Sequence, residues 1–155
     1  MDQDLKKAQY FFQIGRYEDA LKIGTHILDS GNRCPQLLHL LGLCCVHTNR
    51  FNDAKEFLHQ AVIFDPLNEK NWLDLGFVFH KLGLLDQGLE AYSNSLQINP
   101  NSAAAFNGLA VISAHCKNYD ASIKYIRLAK KKSPNDNNIK NNYAKISRIW
   151  KSRKI

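Results

Sequence analysis

The chain has 155 residues, is 45% apolar and carries 21 lysines and arginines against 14 acidic residues, a formal charge of +7. That length and apolar share suffice for one buried core and one folded unit. Asp2, Asp4, Lys6 and Lys7 interrupt the start before an apolar leader can form. The longest apolar stretch, residues 37–46, contains His39 and falls far short of a membrane-spanning helix, so the expectation is a cytoplasmic protein. Cys34, Cys44, Cys45 and Cys116 lack paired spacing, which speaks against a disulfide framework; Cys44 and Cys45 read as reduced core residues.

In chain order, residues 1–34, 35–68, 69–102 and 103–136 write one pattern four times without insertion. Each copy is predicted as two antiparallel helices of about 12 to 14 residues, joined by turns such as Gly15-Arg16-Tyr17 and Leu82-Gly83-Leu84. Small residues recur at Ala8, Gly42, Gly76 and Ala110, and again at Ala20, Ala54, Gly88 and Ser122, where paired helices cross closely. In the third copy Trp72, Leu75, Phe79 and Leu82 recur at steps of three and four, placing them on one helix face. Asp65-Pro66, Asn99-Pro100 and Ser133-Pro134 end the second helices, because proline lacks the amide donor and drives its predecessor out of the helical region.

Polar residues 135–138 then precede a fifth first-helix, over 138–152, striped by Ile139, Tyr143, Ile146 and Trp150. In the 34-residue register these occupy the columns of Leu37, Leu41, Cys44 and Thr48, while Lys140 and Ser147 stand where Leu38 and Cys45 stood. The apolar stripe covers the fourth copy, and the polar one replaces the face whose partner helix does not follow. Residues 137–155 are thus expected to be a capping helix and basic tail.

This pattern resembles the tetratricopeptide repeat family, with the third copy matching best at Trp72, Leu75-Gly76, Phe79, Gly83, Gly88, Tyr92, Ser95 and Pro100. The resemblance implies an all-α, right-handed superhelix of four helical hairpins whose first helices line a concave surface. Copy one departs at Asp4, Lys7 and Asn32, which suits a solvated terminal repeat. Cochaperones of this family clamp a C-terminal carboxylate with Lys, Asn and Arg. The matching positions here are Leu5, Gln9, Leu40, Lys70 and Asp74 in one frame, and His39, Leu43, Asp74, Ala104 and Gly108 in the next. Only Lys70 agrees, so a carboxylate clamp is disfavoured.

Carried onto this chain, the concave positions are His39, Leu43, Val46, His47, Leu73, Phe77, His80, Lys81, Asn107, Val111, Ala114 and His115. They read either as a greasy groove edged by imidazoles, taking an apolar segment of a protein or peptide partner, or as packing alone. A groove of that kind suits an adaptor or chaperone; small bacterial secretion chaperones resemble the chain in size and repeat number. Self-association through the same face is an alternative. No phosphate-cradling loop, His-Glu-x-x-His or Gly-x-Ser-x-Gly occurs, so neither an enzyme nor a cofactor is expected. Metal binding is not expected either, since helix packing places histidines of neighbouring copies about 10 Å apart.

Residues 117–155 carry 12 basic residues against Asp120 and Asp136, a net of +10, whereas residues 1–116 sum to −3. Lys130, Lys131, Lys132, Lys145, Arg148, Lys151, Arg153 and Lys154 form this basic end. One explanation is compensation of helix dipoles at helix ends. The other is docking on nucleic acid or an anionic membrane.

Overall fold

A computed structural model describes residues 2–153. Among these the elements are α1 (Asp2–Gln13), α2 (Tyr17–Asp29), α3 (Pro35–His47), α4 (Phe51–Phe64), α5 (Glu69–Lys81), α6 (Leu85–Ile98), α7 (Ala103–His115), α8 (Tyr119–Lys132) and α9 (Asn137–Ser152). No strand occurs among the described residues. Consecutive helices pair as antiparallel hairpins, and the hairpins stack into a superhelix closed by α9. None of these helices is long and apolar enough to cross a membrane.

The turns follow the period to the backbone angle. Gly15, Asn49, Gly83 and Lys117 stand 34 apart and share the left-handed conformation, with φ of 78°, 59°, 74° and 59°. At each turn the residue's own amide and the next one bond back into the first helix. Gly83 N donates to His80 O (3.1 Å) and Leu84 N to Phe79 O (2.9 Å), while Lys117 N donates to Ala114 O (3.0 Å) and Asn118 N to Ser113 O (2.8 Å). These bonds satisfy carbonyls that a helix end otherwise leaves open. Helices α4, α6 and α8 end instead at the C-caps Asp65, Asn99 and Ser133, each followed by a proline that cannot continue the helix.

All eight small positions are buried. A methyl group on Gly42 would come within 2.6 Å of Leu58, and one on Gly88 within 2.6 Å of Ile112, so these glycines are dictated by close helix approach. Ser122 satisfies its buried hydroxyl by donating to Ala110 O at 2.7 Å. Helix α9 opens on Asp136, whose carboxylate accepts from Ile139 N at 3.0 Å. Ile139 and Ile146 are then buried against Ala110, Ile123, Ile126 and Ala129, with Tyr143 and Trp150 at the margin. Each buried isoleucine contributes about 1.5–3 kcal/mol, so α9 is a stabilising cap and not an ornament. On its polar stripe Lys140 is exposed, but the Ser147 hydroxyl is buried and unpartnered, contrary to a fully solvated face.

Candidate functional site

The odd-numbered helices touch one another in series, α1 to α3, α3 to α5, α5 to α7 and α7 to α9, whereas the even-numbered helices are bridged by the odd ones. The layer whose members touch lies inside the curve, so α1, α3, α5, α7 and α9 form the concave face. Contacts across this face obey a rule absent from the sequence reading: partners stand 35 residues apart. His39 meets Asp74, His80 meets His115, and Asn107 meets Asn142. Phe12 meets His47 in the same way, edge to face. Neighbouring inner helices are therefore offset by one residue, about 1.5 Å of rise, rather than aligned column on column.

Each expected groove residue lies on this layer, and none is fully buried. Leu43 and Val111 are half-buried, and Phe77 keeps 37% of its surface exposed with the Lys81 ammonium 5.3 Å from its ring centre. Val46, Leu73 and Ala114 lean instead on buried clusters and serve as groove wall and core together. His39 Nε2 lies 2.7 Å from Asp74 Oδ2. His47 is stacked on Tyr17 at 4.2 Å with the planes 6° apart, so Tyr17 covers one of its faces. Asn107 Oδ1 accepts from Asn142 Nδ2 at 2.9 Å, which ties the groove to the capping helix.

The expected spacing of about 10 Å between imidazoles is overturned at one place. His80 Nε2 and His115 Nδ1 approach to 3.0 Å, because the one-residue offset turns adjacent columns towards each other. Burial, then His115, then Lys81 lower the His80 pKa below its ordinary value, which favours the neutral ring. No group of three or more His, Cys, Asp or Glu side chains that could hold a metal occurs among the described residues. Burial, with the neighbouring Cys45 second, pushes the Cys44 thiol up to about 12, and burial with Asp53 pushes Cys45 to about 11. Both behave as packing residues.

At the basic end Lys131, Lys132, Lys145, Arg148 and Lys151 are exposed, while three other cations lie over aromatic rings. Lys130 sits 4.1 Å from the centre of Tyr143, Arg127 5.3 Å from Trp150 and Arg153 4.6 Å from Tyr119. Trp150 also donates its indole N–H to Asp120 Oδ1 at 2.8 Å. The aromatic faces are thus taken by this chain's own cations rather than offered to bases. Lys154 lies outside the described residues.

Two cavities were not foreseen. One of about 460 Å³ opens on the outer layer between α4 and α6, floored by Trp72, Leu75 and Phe79 of α5. Splaying of the outer helices around a curved inner layer creates it. The second, about 220 Å³, lies on the inner layer among Gln9, His39, Leu40, Leu43, Asp65 and Asn71. Asn71 is 1% exposed and donates from Nδ2 to Ala61 O (3.3 Å) and Asp65 O (3.4 Å), which fixes its amide orientation. Its Oδ1 has no hydrogen-bond partner, a cost of about 1–3 kcal/mol. A sequence signal existed, since the same column holds Leu37, Ala105 and Ile139, all buried and apolar.

The profile of the tetratricopeptide repeat family matches residues 73–137. Over those residues the chain matches tetratricopeptide repeats. Tetratricopeptide repeats are scaffolds for protein–protein interaction and are generally non-catalytic. Over 149 residues the chain is 26% identical to the mouse protein O-mannosyl-transferase TMTC1, covering 94% of this chain and 16% of that protein. It is 20% identical over 119 residues to the bovine BBSome complex member BBS4, covering 77% of this chain and 23% of that one. The chain thus spans under a quarter of the length of these relatives. Among solved structures it is similar to YrrB, described as a TPR protein with an unusual peptide-binding site, with a TM-score of 0.82 and 19% identity over 86% of this chain and 69% of that one.

Proposed function

We propose that this tetratricopeptide chain is a recognition module that receives an apolar segment of a partner protein on its concave face, as an adaptor or chaperone. One observation carries the reading: Leu43, Phe77 and Val111, on three successive inner helices, keep apolar surface open to solvent while their helix-mates are sealed in the core. The 37% exposure of Phe77 is unusual for a phenylalanine at the centre of a packed layer. Polar groups flank the ridge, with the His39–Asp74 pair at one end and Asn107 at the other, so a bound segment meets orienting partners as well as apolar floor. The structurally similar YrrB, described as having a peptide-binding site, supports the same use of the fold.

The test is a panel of blocked apolar peptides measured by fluorescence anisotropy against wild type and Phe77→Ala. Removing the exposed part of the ring should weaken binding by about ten- to thirtyfold, since roughly 60–80 Å² of apolar contact at about 25 cal/mol per Å² is lost. Helix content by circular dichroism should be unchanged. Equal affinity of the two proteins for every peptide would end the groove reading, and loss of helicity would place Phe77 in the core.

A further inference from the structure

We infer that the inner cavity between α3 and α5 is a subsite for a lysine or arginine side chain, so that the segment taken by the groove is apolar with a basic residue set beside it. This rests on the groove reading for its context, but the chemistry is local. Asn71 is buried in a column that holds the buried apolar residues Leu37, Ala105 and Ile139, and among the described residues its Oδ1 is an acceptor with no donor. Both N–H groups of that amide are committed to backbone carbonyls, so the missing partner must be a hydrogen-bond donor. Asp65 lines the same cavity, and among the described residues its carboxylate accepts from Asn68 Nδ2 to Oδ2 at 3.1 Å, leaving lone pairs to accept more.

Asp65 also stands at the C-cap of α4, where a negative charge opposes the helix dipole, a placement that local stability does not favour. A second carboxylate, Asp74, adjoins the cavity through His39. Among the described residues no lysine or arginine lines it. Free acceptors, negative charge and an apolar wall of Leu40 and Leu43 describe a receptor for a cation on an aliphatic stem. In one of the two frames Asp74 also occupies a position where a carboxylate clamp carries a cation. Leu43 belongs to both the cavity and the ridge, so a segment packed along Phe77 can place a neighbouring basic side chain there.

The direct test is NMR titration of the intact chain with Nα-acetyl-arginine methylamide, with the norleucine analogue as control. The arginine compound should shift the Asn71 side-chain amide and the Leu43 methyl signals saturably, and the norleucine compound should not. In Asn71→Leu, a residue the column already accommodates, and in Asp65→Asn, the Leu43 shift should vanish. A second arm uses leucine-rich blocked peptides that differ only by arginine or norleucine at one scanned position. Wild type should prefer arginine by about tenfold at its best position, Asn71→Leu should bring the ratio to about one, and Phe77→Ala should weaken both peptides while keeping the ratio. Peptides that bind without this preference, or an arginine compound that moves neither signal, would overturn the subsite and leave the cavity to water. Arginine-specific shifts without any peptide binding would instead overturn the groove and support the subsite.

Discussion

Adding one methyl group at Gly108 separates helix propensity from packing. Gly108 lies on α7, and an ideal Cβ there would stand 2.2 Å from Cζ of Tyr92, against an ordinary contact of 3.4–4 Å. The Tyr92 ring cannot simply recede. It is 6% exposed, and the ring is also held by Gly76, where a Cβ would stand 3.0 Å from it. Alanine in place of glycine inside a helix gains about 1 kcal/mol, whereas overpacking a closed core costs about 1–3 kcal/mol. With an overlap above an ångström the upper part of that range applies, so Gly108→Ala should destabilise by about 1–2 kcal/mol and lower the thermal midpoint by about 3–6 °C. On a Tyr92→Leu background the clash is gone and only propensity is left, so the same substitution should raise stability by up to about 1 kcal/mol. Urea unfolding of the four proteins of this double-mutant cycle measures both numbers. If Gly108→Ala has the same sign on both backgrounds, Tyr92 is not what demands the glycine.

Three further outcomes are expected. Lys117→Gly should stabilise by about 0.5 kcal/mol, because relief of a left-handed lysine, about 1–2 kcal/mol, outweighs the extra unfolded-state entropy of glycine and the lost helix-end charge; a lowered urea midpoint would contradict it. His80 binds its proton less readily in the folded chain than in the unfolded one, so its contribution to stability is complete above its ordinary value of about 6.5 and is lost as pH falls below that. By NMR, His115→Ala should move the His80 titration midpoint back towards its ordinary value, burial being the larger remaining cause, and an unmoved midpoint would mean that the 3.0 Å contact has no electrostatic weight.

The repeat and its turns were open to reading before any coordinates, because both are local. A turn after each first helix, a proline after three of the second helices and a small residue at each crossing are demands of single turns and single helix pairs. The cap was legible for the same reason: the stripe of Ile139 and Ile146 obeys the periodicity of one helix. Asn71 could have been singled out as a polar residue in the column of Leu37, Ala105 and Ile139, but its unpartnered oxygen could not, since that depends on where Ala61 and Asp65 place their carbonyls.

What required the assembled molecule is the register between stacked hairpins. A one-dimensional pattern tells which residues share a column, but the tilt at which one hairpin rests on the next depends on side chains meeting across three helices, as Tyr92 does between Gly76 and Gly108. That tilt offsets the inner helices by one residue. It brings His80 to His115 and His39 to Asp74, and it opens the outer layer into a cavity. Periodicity follows from hydrogen bonds and steric limits within a few residues, whereas the contacts that form a site follow from packing between elements far apart along the chain.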